Sequence, residues 1–114
     1  MASHNTPLTS LEQEVPYYAV IFTSIQTSIT REYGMAAQHM EELAQQMPGF
    51  LGIDHARSDI GITISYWKTL EDISRWKAQR DHQAVQAKGR NTWYEGYTVR
   101  VCKVEREYNF SKLH

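Results

Sequence analysis

Ser65-Tyr66-Trp67-Lys68-Thr69-Leu70-Glu71-Asp72-Ile73-Ser74-Arg75-Trp76-Lys77 changes its period halfway. Up to Trp67 the side chains alternate as a strand does. From Thr69 onward apolar residues recur every three or four positions, the spacing of a helix with one buried face. Thr69 is a good N-cap, and Asp72, three residues later, can answer it as a capping box. Leu70, Ile73 and Trp76 form the apolar stripe. A break is expected near Arg80-Asp81, followed by a second helical piece carrying His82, Val85 and Trp93 and ending around Tyr94-Glu95-Gly96. Two tryptophans, a histidine and several arginines thus gather around one strand–helix–helix corner. That corner is the expected wall of a small-molecule site.

Upstream, Ile62 to Trp67 reads as a third strand, with Ile62, Ile64 and Tyr66 on one face and Thr63, Ser65 and Trp67 on the other. Ser58-Asp59-Ile60-Gly61 is its hairpin turn. Phe50 to Ser58 is the second strand, presenting Leu51, Ile53, His55 and Arg57 on one face. Before it, Met47-Pro48-Gly49 ends a helix, because proline cannot continue one and glycine permits the turn. That helix starts at Ser28 or Thr30. Its buried stripe is Ala36, Met40, Leu43, Ala44 and Met47, with Glu41, Glu42, Gln45 and Gln46 outward. Tyr17 to Thr27 is the first strand, and both of its faces are largely apolar, so both should be covered. Downstream, the last strand runs from about Tyr97 through Val99, Val101 and Val104 to about Tyr108. It is long for so small a domain, and its far end is a candidate for pairing with another subunit. Residues 1–16 are polar, contain Pro7 and Pro16, and read as a flexible arm. The folded domain is 17–110 and the tail 111–114.

Strand-helix-strand-strand-helix-strand is the split βαβ pattern of a ferredoxin-like α+β fold with an antiparallel sheet. Its helices cover one sheet face and leave the other bare. Here the bare face would carry several large apolar side chains, each gaining roughly 1.5–3 kcal/mol when buried. A self-complementary patch of this kind closes as a two-fold dimer. Two sheets packed face to face in a homodimer, a dimeric α/β barrel, are therefore expected.

At 114 residues the chain is long enough for one core, burying roughly two thirds of its unfolded surface. Twelve lysines and arginines against 13 acids leave a net charge of −1, and the two signs are interleaved, which argues against a nucleic-acid partner. Cys102 is the one cysteine; it cannot form an internal disulfide and agrees with a reducing compartment. No signal-peptide pattern or membrane-length apolar run is present. A cytoplasmic protein without membrane partners is expected. No pair of histidines has the His-x-x-x-His spacing of a metal site, so no metal is expected.

The chain resembles the antibiotic biosynthesis monooxygenases, a family of dimeric α/β-barrel proteins. The likeness is carried by Met47-Pro48-Gly49-Phe50-Leu51-Gly52-Ile53, by Ile64 to Asp72, by Trp76-Lys77 with His82 downstream, by Gly89-Arg90 through Trp93-Tyr94, and by Val104-Glu105-Arg106-Glu107-Tyr108. It covers about Tyr17 to Tyr108. The resemblance implies a cofactor-independent oxygenase that needs neither metal nor flavin, because the substrate, a reduced polycyclic phenol or anthrone, is itself the electron source. Such chemistry asks for a base, for donors or a cation to hold the resulting anion, and for a dry, flat pocket.

By that resemblance Trp76 is the helix tryptophan of the pocket, offering its indole N–H to a substrate oxygen. Read from periodicity alone, Trp76 is simply core. His82 is the expected base, since histidine titrates near neutrality; the alternative is a histidine bonding locally at a helix start. Tyr66, Trp67 and His55 are expected to line the site. Arg57 or Arg80, and also Arg90, could balance a substrate anion, or stand as surface charges. Two other functions share the fold: a non-catalytic small-molecule-binding or stress-response dimer, and heme handling. The heme-degrading branch expects a histidine near Gln86 and an asparagine in the first strand, and this sequence has neither.

Overall fold

The structure is a computed structural model and describes residues 13–27, 33–87 and 94–112, with the backbone alone at 33, 34, 36 and 82–87. Its elements are β1 (Tyr17–Gln26), α1 (Tyr33–Gln45), β2 (Phe50–Arg57), β3 (Gly61–Trp67), α2 (Leu70–Ala87) and β4 (Tyr94–Val104). All pairings are antiparallel, in the order β2-β3-β1-β4. This is the ferredoxin-like α+β fold. Both helices pack on one face of the sheet, where Val20, Ala44, Trp67, Ile73 and Trp76 form the core and Met40, Leu43, Met47 and Phe50 close around it.

The turn into α2 is built as its sequence suggests. Thr69 Oγ1 accepts a hydrogen bond from the Asp72 backbone N–H at 3.0 Å and donates to Asp72 Oδ2 at 2.8 Å. Arg75 pairs with the other Asp72 oxygen at 2.8 Å. The turn after α1 docks onto this cap. Gly49 has φ +81°, open to glycine, and a Cβ there would overlap the Asp72 carboxylate. The Lys68 N–H donates to the Gly49 carbonyl at 2.9 Å, tying the two helix junctions together.

Trp67 lies at the centre, fully buried. Its ring stacks on Trp76 with centroids 6.0 Å apart and planes 23° from parallel, and Phe50 meets it edge-on at 5.4 Å. Its indole N–H donates to Ser65 Oγ at 2.9 Å, so no buried donor is left over there. Leu70, expected in the buried stripe, is 52% exposed. It is the first residue of α2, and the buried residues of that turn are Asp72 and Ile73.

Two element boundaries differ from the sequence reading. The break at Arg80-Asp81 does not occur: α2 is one helix of 18 residues. Asp81 is held inside it by an i,i+4 pair with Lys77 at 2.8 Å, the kind of contact that supports a helix. His82 is therefore within a helix and not at the start of a new one. β4 begins at Tyr94, because a bulge at Ile25/Gln26 brings Tyr94 opposite Gln26, and it ends at Val104, opposite Tyr17, where β1 begins. Residues 105–110 carry no strand pairing in this chain. The start expected for α1 at Ser28 or Thr30, and Trp93, lie outside the described residues.

The second sheet face carries Tyr17, Ala19, Ile21, Thr23 and Ile25 of β1. Their register partners Tyr66, Ile64 and Ile62 on β3 and Cys102, Arg100 and Thr98 on β4 share it. Neither helix covers this side. Ile25 is 47% and Ile62 42% exposed, whereas Tyr17 and Ala19 are buried.

Candidate functional site

Register places Arg57, Gly61 and Ser24 in one row across β2, β3 and β1, on the helix side. Gly61 contributes no side chain to that row. The Arg57 guanidinium lies across it, in space that a Cβ at residue 61 would occupy. It donates to Ser24 Oγ at 2.7 Å. Ser24 is 1% exposed, so this is a buried hydroxyl bonded to a cation reaching in from the sheet end. The next row is His55, Thr63 and Phe22.

These two rows form the floor of a cavity of about 660 Å³ whose opposite wall is α1. Arg57, His55, Thr63 and Ile53 line it from the sheet, and Gln38, Glu41, Glu42 and Gln45 from the helix. The size suits a small organic ligand. A cation and an imidazole thus sit across from two carboxylates. Glu42, Gln45 and Gln46 are exposed, as expected of the outward face of α1, and Glu41, Glu42 and Gln45 border the cleft from that side.

The expected site residues do not converge on one place. His55 and Arg57 are together on the cleft floor. Trp67 and Trp76 are core, at 0% and 7% exposure, and neither lines the cleft. Among the described residues the Trp76 indole N–H has no hydrogen-bond partner. Arg80, on α2, lies 3.5 Å from Asp81 and is not a cleft residue. His82 belongs to α2, and its side chain is outside what the structure describes.

Tyr66 is on the opposite face of the sheet and does not share a wall with Trp76. Its hydroxyl donates to Asp54 at 2.8 Å, and its ring meets Tyr17 edge-on at 6.1 Å. Burial, then the Asp54 carboxylate, pushes its pKa well up. Tyr17 in turn donates to Glu107 at 2.7 Å, and burial and that carboxylate raise its pKa to about 12. Glu107 also accepts from Asn109 at 2.8 Å and from the Gln13 N–H at 3.4 Å. The hydrogen bonds from Tyr17 and Asn109 hold its carboxyl below the usual range. Both phenols are thus locked protonated. Among the described residues no three His, Cys, Asp or Glu side chains come together as a metal site.

Ser24, Gly61 and Thr63 were not singled out in the sequence. The signal was there: an arginine at a strand end, a glycine starting the return strand, and a serine on a neighbouring apolar strand.

Residues 16–88 match the family described as antibiotic biosynthesis monooxygenase. The chain is 46% identical over 101 residues to the uncharacterized protein YqjZ of Bacillus subtilis, covering 87% of this chain and 89% of that one. Among solved structures it is similar to SnoaB of Streptomyces nogalater, described as a cofactor-independent oxygenase. The TM-score is 0.63 at 12% identity, over 86% of this chain and all of that one. PA3566 of Pseudomonas aeruginosa superposes with TM-score 0.62 at 12% identity, over 84% and 99%. These two likenesses show a shared fold. The match along 16–88, on a ferredoxin-like sheet with both helices on one face, places the chain in the antibiotic biosynthesis monooxygenase family.

Proposed function

We propose that the protein is a cofactor-independent monooxygenase that oxidises a quinol- or anthrone-like aromatic molecule with O2, as a cytoplasmic homodimer. The observation that carries this reading is the cleft: a cavity of about 660 Å³ with a histidine and an oriented arginine on one floor, in a chain of this family. A histidine takes a proton from the reduced substrate. Two histidines are candidates for that base, His82 by family resemblance and His55 by its place in the cleft. Arg57 holds the resulting anion. The electron-rich anion delivers electrons to O2. In an anthrone the ring CH2 becomes C=O, and in a quinol a ring C–H becomes C–OH as the ring is oxidised to the quinone; in both, one oxygen atom stays in the product and the other leaves as water. Trp76, the helix tryptophan of the resemblance, is packed in the core against Trp67 and enters this reading through the family likeness alone.

The dimer joins through the uncovered sheet face and the segment after β4. Exposed Ile25 and Ile62 support the first contact, and Tyr108 and Phe110, at 84% and 78% exposure, the second. No helix among the described residues is long and apolar enough to cross a membrane.

The test is oxygen uptake by the purified protein over a panel of anthrones and quinols, with chelator and no added cofactor. Trp76→Phe, His82→Ala and His55→Ala run alongside. Uptake above the buffer rate that falls in Trp76→Phe and in one histidine variant is expected. No uptake across the panel overturns the oxygenase and leaves a second reading, a non-catalytic dimer that binds a small aromatic molecule. The near-complete burial of both core indoles favours that second reading.

A further inference from the structure

We propose that the cleft between α1 and the β2–β3 hairpin selects an aromatic monoanion with a hydroxyl at its far end, the oxyanion meeting Arg57 and the hydroxyl meeting Glu41 or Glu42. Ser24 and Gly61 are the positioning residues that aim Arg57. The choice of this cleft as the substrate site rests on the oxygenase reading above; the ligand chemistry follows from the side chains.

A guanidinium is a rigid fork of N–H donors suited to a planar oxyanion. An arginine at a strand end would ordinarily extend into water. Here Gly61 leaves an empty place in the row, and the buried Ser24 hydroxyl anchors the fork across it at 2.7 Å. His55 lies one register row further in on the same floor. The α1 wall is opposite in character: Glu41 and Glu42 accept hydrogen bonds and repel anions. A ligand charged at both ends is disfavoured by that wall, and a neutral one gains less from the arginine than an anion does, a hydrogen bond without the ion pair. Monoanions of dihydroxylated aromatics and hydroxylated aromatic carboxylates share the required chemistry, one oxyanion and one donor across a ring.

The test uses the full chain and NMR-detected titration with four probes: 4-hydroxybenzoate, its neutral isostere 4-hydroxybenzamide, terephthalate as the dianion, and hydroquinone titrated up to the pH at which it becomes a monoanion. Wild-type protein should bind 4-hydroxybenzoate tighter than the amide, and tighter than terephthalate. Hydroquinone binding should strengthen as its monoanion appears, which separates phenolate from carboxylate sources of the oxyanion. Arg57→Gln should weaken 4-hydroxybenzoate by roughly 10- to 100-fold, the range for a charge-assisted hydrogen bond, and the amide by much less, so that the acid-to-amide ratio collapses. Ser24→Ala should lower the acid-to-amide ratio about 3- to 10-fold while the amide affinity holds. A loss of packing alone would weaken both probes together. Glu41→Gln with Glu42→Gln should let terephthalate bind.

Equal affinity for acid and amide in the wild-type protein overturns the proposal, as does an acid-to-amide ratio that survives Arg57→Gln. These readouts contain no oxygen chemistry. Selective binding without oxygen uptake keeps this site and removes the oxygenase; uptake without selectivity does the reverse.

Discussion

Gly61→Ala isolates the contact that sets up the cleft. Gly61 is not in the left-handed region, so alanine meets no backbone penalty there. Its methyl would enter the space of the Arg57 guanidinium, which sits at the end of a flexible chain and can swing away. What is lost is the 2.7 Å bond to Ser24. Ser24 is 1% exposed, and a buried hydroxyl stripped of its partner costs about 1–3 kcal/mol. Replacing glycine by alanine returns about 0.4–1 kcal/mol by restricting the unfolded chain. The balance is a loss of roughly 0.5–2 kcal/mol, or about 2–8 °C in Tm for a domain of this size. The decisive measurement is a cycle by urea unfolding. With Arg57→Ala already in place there is no guanidinium to displace, so Gly61→Ala should be neutral or slightly stabilising. An equal cost in both backgrounds would refute the idea that Gly61 is kept open for Arg57.

Gly49→Ala should destabilise by more, because residue 49 is left-handed at about 1–2 kcal/mol for an L side chain and its Cβ would push Asp72 out of a cap that itself contributes about 1 kcal/mol; the urea midpoint reads this directly. Trp76→Ala should cost about 3–5 kcal/mol by opening the core beside Trp67, and Trp76→Phe much less, as calorimetric Tm values will report. The Tyr17–Glu107 bond should make stability fall at both pH extremes. Glu107 has a lowered carboxyl, so its contribution is present above the ordinary value of 4.5 and is lost as pH falls through the lowered one. Tyr17 is raised from 10.0 to about 12, so its contribution is complete below 10 and disappears as pH rises toward 12. Tyr17→Phe should flatten both limbs of urea midpoint against pH.

The fold was legible because local signals agreed with one another. Thr69 with Asp72 marked where a strand hands over to a helix, Pro48-Gly49 marked where one stops, and the alternation of Ile62 to Trp67 set the sheet faces. The α2 break was misread because Arg80-Asp81-His82 lacks apolar residues, while the Lys77–Asp81 pair that carries the helix through is invisible to a hydrophobic pattern. The cleft was half legible. His55 and Arg57 share a face by simple alternation, so their proximity follows from period two. Their partners depend on pairing register between strands distant in sequence, and Ser24 and Gly61 have no local property that announces it. Tyr66 shows the same limit in reverse: its parity was read correctly, but parity alone does not tell which face the helices cover.

The row formed by Arg57, Gly61 and Ser24 also fastens the hairpin mouth to the neighbouring strand, at the sheet end where fraying would start. One side chain thus fastens the sheet corner and, in the proposal above, selects the ligand. A lineage that swapped the arginine for another specificity would loosen the sheet corner unless positions 24 and 61 were rebuilt in the same step. Divergence at this cleft should therefore carry a stability cost of about 0.5–2 kcal/mol at the first step, which changes at positions 24 and 61 can recover.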